Sequence, residues 1–248
     1  MDFIKVGIFG CGWLGIALAK SLQSHCLVYG AVRSLASEER LVKEKIEAFI
    51  SPKHDSKFWN IDVLVIAISP RQNYIETLNQ ITQCVSAQTK QVILLSSTSV
   101  YKEGEELLSE VSAVDTSKVA VQGELLFKKY FPKGNIVRLG GLMGDDRIAG
   151  QWGATVLTDV SVNYIHQVDA AGIISEIIKL NIEDEVINAV APKHPKRSEV
   201  YKMNCNRFGW TLPTFTEGAE KIVSSEKSEI LLGYEYQFKD PMHFWLDS

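Results

Sequence analysis

The run Asp62-Val-Leu-Val-Ile-Ala-Ile68 does most to limit how this chain can fold. In an extended segment, successive side chains project to opposite faces, so both faces of this strand must be covered. The central strand of a parallel sheet packed between two layers of helices meets that demand. The surrounding sequence repeats the theme. Short apolar runs at residues 5–9, 26–32, 91–96, 136–139 and 186–190 read as further strands. Between them lie stretches with helical spacing of apolar residues: Leu14, Leu18 and Leu22; Val42, Ile46 and Phe49 within 38–49; Tyr74, Leu78, Ile81 and Val85. Two more follow, at 117–130 and at 169–180, the latter with Ile173, Ile174, Ile177 and Ile178 on its buried side. This alternation predicts an α/β fold with a doubly wound, mostly parallel sheet.

Beyond Ala191 the rhythm stops. Pro192, Pro195, Pro213 and Pro241 interrupt the chain, and aromatic residues concentrate. The expectation is a core over 1–191 and a small C-terminal substrate lobe over 192–248, joined by the loop 141–160, all folding as one compact unit.

Charge and cysteine content narrow the classes of partner. The 26 basic and 30 acidic side chains of the 248 residues give a net charge of −4, and no basic run is present. Neither nucleic acid nor an anionic membrane is therefore an expected partner. Cys11, Cys26, Cys84 and Cys205 are scattered, without the spacing of a zinc site, and read as reduced thiols. The first residues lack a basic and apolar leader, and no apolar run is long enough to span a bilayer. A cytoplasmic protein is expected.

Directly after the first strand stands Gly10-Cys11-Gly12-Trp13-Leu14-Gly15, a GxGxxG that opens a helix. In that context Gly10 permits a tight turn, Gly12 lets backbone approach a pyrophosphate, and Gly15 allows close packing of helix on strand. The amides of Trp13 and Leu14 belong to the same cradle. At the end of the second strand, where an acid would meet the ribose 2′-hydroxyl of NAD, the sequence has Arg33-Ser34. An arginine fork with a neighbouring hydroxyl suits the 2′-phosphate of NADP, and NAD is the alternative.

A hydroxyl cluster, Leu95-Ser96-Ser97-Thr98-Ser99-Val100-Tyr101, closes a later strand and faces the crevice where such sheets bind ligands. It resembles the Ser-Ser-x-x-Val-Tyr-Gly signature of the extended short-chain dehydrogenase/reductases, the NAD-dependent epimerase/dehydratase family. Three other stretches are similar to that family's pattern: Val137-Arg138-Leu139-Gly140-Gly141-Leu142-Met143-Gly144, Asn163-Tyr164-Ile165-His166-Gln167-Val168-Asp169, and Lys227 to Tyr234 followed by Pro241. The glycine spacing and the ending Val32-Arg33-Ser34 look like those of the family's atypical, compact members.

The resemblance implies a Rossmann-type fold. It also implies an NAD(P)-binding oxidoreductase or epimerase acting on a nucleotide sugar or another small carbonyl or alcohol substrate. By the same resemblance Ser97 would hydrogen-bond the substrate oxygen, and Ser69 would line the path of the cofactor's ribose and phosphate. Ser99, Arg147 and His166 are candidates for the substrate side, with Arg147 suited to an anionic group.

One departure from the family is large. Its acid/base pair is Tyr-x-x-x-Lys on the helix after the hydroxyl cluster. Here, if Glu124 aligns with the family glutamate, Thr116 and Ala120 occupy those positions, and neither can move the proton. Lys118 is a candidate to stabilise an oxyanion, or else a solvated lysine. The alternative function is accordingly a non-catalytic NADP-binding sensor or regulatory protein. The chain is expected as a monomer or as a homodimer, and for the latter the resemblance implies pairing through the helices near 74–89 and 117–130.

Overall fold

The computed structural model describes residues 3–71, 73–102 and 107–245. Its framework is a seven-stranded sheet built from β1 (Ile4–Phe9), β2 (Cys26–Val32), β3 (Glu47–Ile50), β4 (Val63–Ile66), β5 (Gln91–Ser97), β7 (Asn135–Leu139) and β11 (Val186–Ala189). The order is β11-β7-β5-β4-β1-β2-β3, and every neighbouring pair is parallel. The chain first winds outward from β1 to β3, then returns to β4 beside β1 and winds the other way. The strand order thus reverses between β1 and β4, which makes that junction the natural crevice of the sheet.

The alternation in β4 decides which side chain goes to which layer. Val63 and Val65 join a core made with Leu14, Leu18 and Leu22 of α1 (Trp13–Leu22) and with Ile173, Ile174 and Ile177 of α5 (Gln167–Lys179). Leu64 and Ile66 join the opposite core, with Tyr74, Leu78 and Ile81 of α3 (Tyr74–Cys84) and Phe127 of α4 (Val119–Tyr130). Burial of each such aliphatic side chain contributes about 1.5–3 kcal/mol. The strand begins at Val63, and just before it the Asp62 carboxylate accepts the Lys5 N–H at 2.9 Å.

The helix expected over 38–49 is two elements. Helix α2 covers Leu35–Lys43, Lys45 turns into the left-handed region at φ 59°, and β3 then pairs with β2. Ile46, Phe49 and Ile50 keep the i, i+3, i+4 spacing of a helix, yet pairing with the open edge of β2 overrides it. Leu41, rather than Val42, is the buried residue of α2.

A third core lies away from the sheet. It joins Met143 and Ile148 with Val162, Val200, Tyr201, Phe244 and Trp245. The elements around it are β8 (Gly141–Met143), β9 (Val156–Asp159), β10 (Tyr164–His166), α6 (Arg197–Phe208) and β12 (Thr214–Glu217), with the two-stranded pairs β8–β10 and β9–β12. A third pair unites β6 (Leu107–Leu108) with β13 (Ile222–Val223).

Helix α7 (Glu226–Leu232) returns to the sheet, where Leu232 and Tyr236 enter the α1/α5 core, so this stretch packs on the large core. The buried Asp169 carboxylate near the start of α5 holds the segment that follows. It accepts the Tyr234 hydroxyl at 3.0 Å and the Gln237 and Phe238 N–H groups at 2.8 and 2.9 Å. No helix among the described residues is long and apolar enough to cross a membrane.

Candidate functional site

The three glycines after β1 are held in three different ways. Gly10 has φ +86°, and a Cβ there would lie 2.7 Å from the Ala67 carbonyl oxygen, so the turn admits no side chain. Gly15 lets α1 settle on β1, since a Cβ would come within 3.2 Å of both Cys11 Sγ and Ile8 Cγ2. Gly12 is the reverse case: its nearest neighbour would be Gly10 O at 3.9 Å, so the protein leaves this position open. It also forms the N-cap of α1, with no side chain bonded there and no acid in the first turn. The leading N–H groups of a helix have no acceptor of their own. Together with the positive end of the helix they favour an anion at Trp13, Leu14 and Gly15.

These residues form part of the wall of a cleft of about 1240 Å³ along the carboxyl ends of the central strands. Among the described residues, its lining carries three cations, Arg33, Arg71 and Arg147, and no aspartate or glutamate. Arg33 follows β2, is exposed and makes no ion pair with a described residue. Ser34 lines the same corner, but its hydroxyl caps α2, meeting Ser37 N at 3.3 Å and Ser37 Oγ at 3.0 Å. Ser37 and Ser51 complete that corner, and Ser69 stands after β4 at the mouth. Cys11 lies beneath the glycine turn, and burial pushes its thiol up to about 12, which excludes a nucleophilic thiolate at neutral pH.

At the other end of the cleft, Ser97 lines the wall, and its Oγ accepts the Ser99 N–H at 3.1 Å. Ser99 is exposed and is not part of the lining. Lys118 also lies outside the lining: its ammonium donates to Ser99 O at 2.7 Å and Tyr101 O at 3.0 Å, pinning the loop after β5. Thr116 is exposed and Ala120 buried, and neither lines the cleft. Behind this wall lies a buried polar network. Arg138 grips Glu124 through two bonds, 3.1 and 2.8 Å; Ser96 donates to Glu124 at 2.6 Å; Arg138 reaches the Tyr101 oxygen at 3.2 Å, and Tyr101 donates to Asn188 at 2.6 Å.

His166 does not reach the cleft. It is the N-cap of α5, its Nδ1 accepting the Val168 N–H at 3.3 Å while its ring stacks on Phe238 with centroids 3.7 Å apart. Burial lowers its pKa, opposed by Asp145 and Asp169, so the ring is neutral where it lies. Arg147 does line the cleft, at a place the sequence did not foresee. Its guanidinium sits 4.3 Å from the Trp13 ring centroid, and Trp13 Nε1 donates to Asp146 at 2.6 Å. The loop after β8 therefore fastens onto the first residue of α1.

Several lining residues carry no signal in the sequence, among them Ser37, Ser51, Arg71 and Tyr74. Arg71 lies in a loop without a motif, and Tyr74 reads as one apolar member of a helical stripe.

No family model matches the chain. Protein YeeZ of Escherichia coli (strain K12) is 27% identical over 267 aligned residues, covering 96% of this chain and 97% of that protein. A conserved protein of unknown function from Silicibacter pomeroyi DSS superposes with a TM-score of 0.84 at 18% identity, over 97% and 96% of the two chains. The UDP-glucuronic acid 4-epimerase of Bacillus cereus, solved with NAD, superposes with a TM-score of 0.79 at 17% identity over 98% of each chain. By its strand order and its superposition over both chains, this protein has a Rossmann-type fold, shared with the Bacillus cereus epimerase and the Silicibacter pomeroyi protein.

Proposed function

We propose that the cleft binds a nicotinamide dinucleotide, NADP in preference to NAD. We further propose that the chain is an oxidoreductase or epimerase of the NAD-dependent epimerase/dehydratase family acting on a nucleotide sugar or other small carbonyl or alcohol compound. The observation that carries this reading is the open position at Gly12, over an uncapped helix end, in a cleft whose described lining has three arginines and no acid. The open position at Gly12 and the first amides of α1 would hold a pyrophosphate. Arg33 pairs with the 2′-phosphate, beside the Ser34 and Ser37 hydroxyls, which meet each other at 3.0 Å.

Ser69 borders the ribose and phosphate path. Arg147, laid on Trp13, covers the pyrophosphate from the small-lobe side and so ties cofactor binding to the loop that borders the substrate space. Ser97 orients the substrate oxygen. The bound nicotinamide supplies the hydride acceptor or donor.

A second reading, an NADP sensor without turnover, is favoured by one feature: with Glu124 aligned to the family glutamate, Thr116 and Ala120 take the positions of the acid/base pair, and the Lys118 ammonium is committed to backbone carbonyls. That reading predicts binding without NADPH consumption across carbonyl and sugar-nucleotide substrates.

The test is a titration with NADPH and NADH, followed by tryptophan emission and by calorimetry. The expected result is NADPH bound at least about tenfold tighter, roughly 1.4 kcal/mol, with the preference lost in Arg33→Ala. Failure of both nucleotides to bind overturns the reading.

A further inference from the structure

Tyr74 is a side chain of the cleft that no role described so far uses. It opens α3, is 3% exposed, and lines the cleft. Its ring lies on the backbone of α4 at Gly123, where a Cβ would meet Tyr74 Cε1 at 2.2 Å and the hydroxyl oxygen at 2.8 Å. Packing between α3 and α4 fixes the phenol, and no described residue hydrogen-bonds its hydroxyl. The hydroxyl is not one of the fully buried atoms left without a partner, so it opens onto the cleft that the ring lines, where it can donate to a ligand. Burial, with the Glu124 charge adding to it, raises the pKa of Tyr74, so the phenol stays protonated and is a donor.

Its place in the cleft says which part of a ligand it meets. The sheet reverses between β1 and β4. Arg33 follows β2 on one side of that junction, while Tyr74 follows β4 on the other and packs on the helix after β5. A dinucleotide lying across such a junction places its two halves on opposite sides. With the 2′-phosphate at Arg33, the second ribose falls on the Tyr74 side. Nearby, the Ser96 proton is already given to Glu124, and α4 offers only methyl and glycine positions at Ala120 and Gly123.

We propose that the Tyr74 hydroxyl donates a hydrogen bond to the ribose on the nicotinamide side of the bound dinucleotide, anchoring that half from α3. The inference rests on the cleft being the dinucleotide site. Tyr74 acts here as a positioning residue.

The experiment compares the wild-type protein with Tyr74→Phe, which keeps the ring on Gly123, by calorimetry with three ligands. These are NADPH, 2′-phospho-ADP-ribose, which retains the second ribose, and adenosine 2′,5′-bisphosphate, which lacks it. The expected result is a roughly fivefold loss for the first two, the size of one neutral hydrogen bond, and none for the third. Retained bisphosphate binding also certifies the fold of the variant. An equal loss for all three ligands, no loss for any, or a loss confined to NADPH overturns the proposal.

If wild-type protein binds none of the three, the dinucleotide reading itself fails, which is a different result. Should the variant not fold, wild-type protein labelled with 13C at tyrosine Cζ gives the answer. The Tyr74 resonance is expected to move with 2′-phospho-ADP-ribose and to stay with the bisphosphate, and a resonance that stays with both contradicts the proposal.

Discussion

The two ends of the cleft use their polar residues in opposite ways. Around the glycine turn, donors and cations are left open toward the cavity: the uncapped start of α1, the empty space over Gly12, and Arg33 without an ion pair among the described residues. Past Ser97 the polar groups turn inward. Glu124, Arg138, Ser96, Tyr101 and Asn188 bond to one another, only Asn188 Nδ2 among them being buried without a partner, and Lys118 is spent on carbonyls. Hydrogen-bonding capacity left open to the cavity marks the binding end, and capacity turned inward marks the structural end. Tyr74 is informative because it is an unspent donor on the inward-turned side.

The comparison breaks most severely if the inward network is disturbed. Arg138→Met leaves the Glu124 carboxylate buried without its partner and is expected to cost about 3–5 kcal/mol in urea denaturation, with Arg138→Met/Glu124→Leu recovering much of it. A loss below about 1 kcal/mol would mean that this pair does not hold the wall. Next comes the turn itself. Gly10→Ala forces a side chain into a positive φ and against Ala67 O, with an expected cost of about 1–3 kcal/mol in the same assay.

The smallest effect belongs to His166, whose pKa burial beneath Phe238 lowers against the opposing pull of Asp145 and Asp169. Its pKa in the folded chain lies below the ordinary 6.5, so the unfolded chain takes up the proton first. The stability this ring contributes is therefore present above pH 6.5 and is lost as the pH falls toward its folded pKa. Asparagine caps a helix well without titrating. His166→Asn should accordingly flatten the fall in melting temperature between pH 7.5 and 5.5, and an unchanged slope would assign that fall to other groups.

The parts of this molecule readable from sequence are those where one local rule decides. The alternation of Val63 to Ile66 can be satisfied only between two layers, and Gly10 and Gly15 each answer a separate steric demand of the turn. The parts that were not readable depend on backbone from elsewhere. Glu47 to Ile50 becomes a strand because β2 has an open edge, and Lys118 is drawn to carbonyls of a loop 17 and 19 residues away. His166 looks like a crevice residue until the start of α5 claims its ring nitrogen. Arg147 was legible as an anion ligand but not in its location, which Trp13 fixes from 134 positions earlier in the chain. Tyr74 was legible only as an apolar position, since its value lies in the glycine it faces on another helix.

The most direct test of the central claim is Gly12→Ala, measured in parallel by thermal unfolding and by NADPH calorimetry. The protein leaves room for this methyl group, whose nearest neighbour would be 3.9 Å away. Stability should therefore stay within about 0.5 kcal/mol of wild type, while NADPH binding weakens at least tenfold, because the methyl group occupies the space assigned to the pyrophosphate. Unchanged NADPH affinity in a variant of unchanged stability would contradict the assignment of that space to the cofactor.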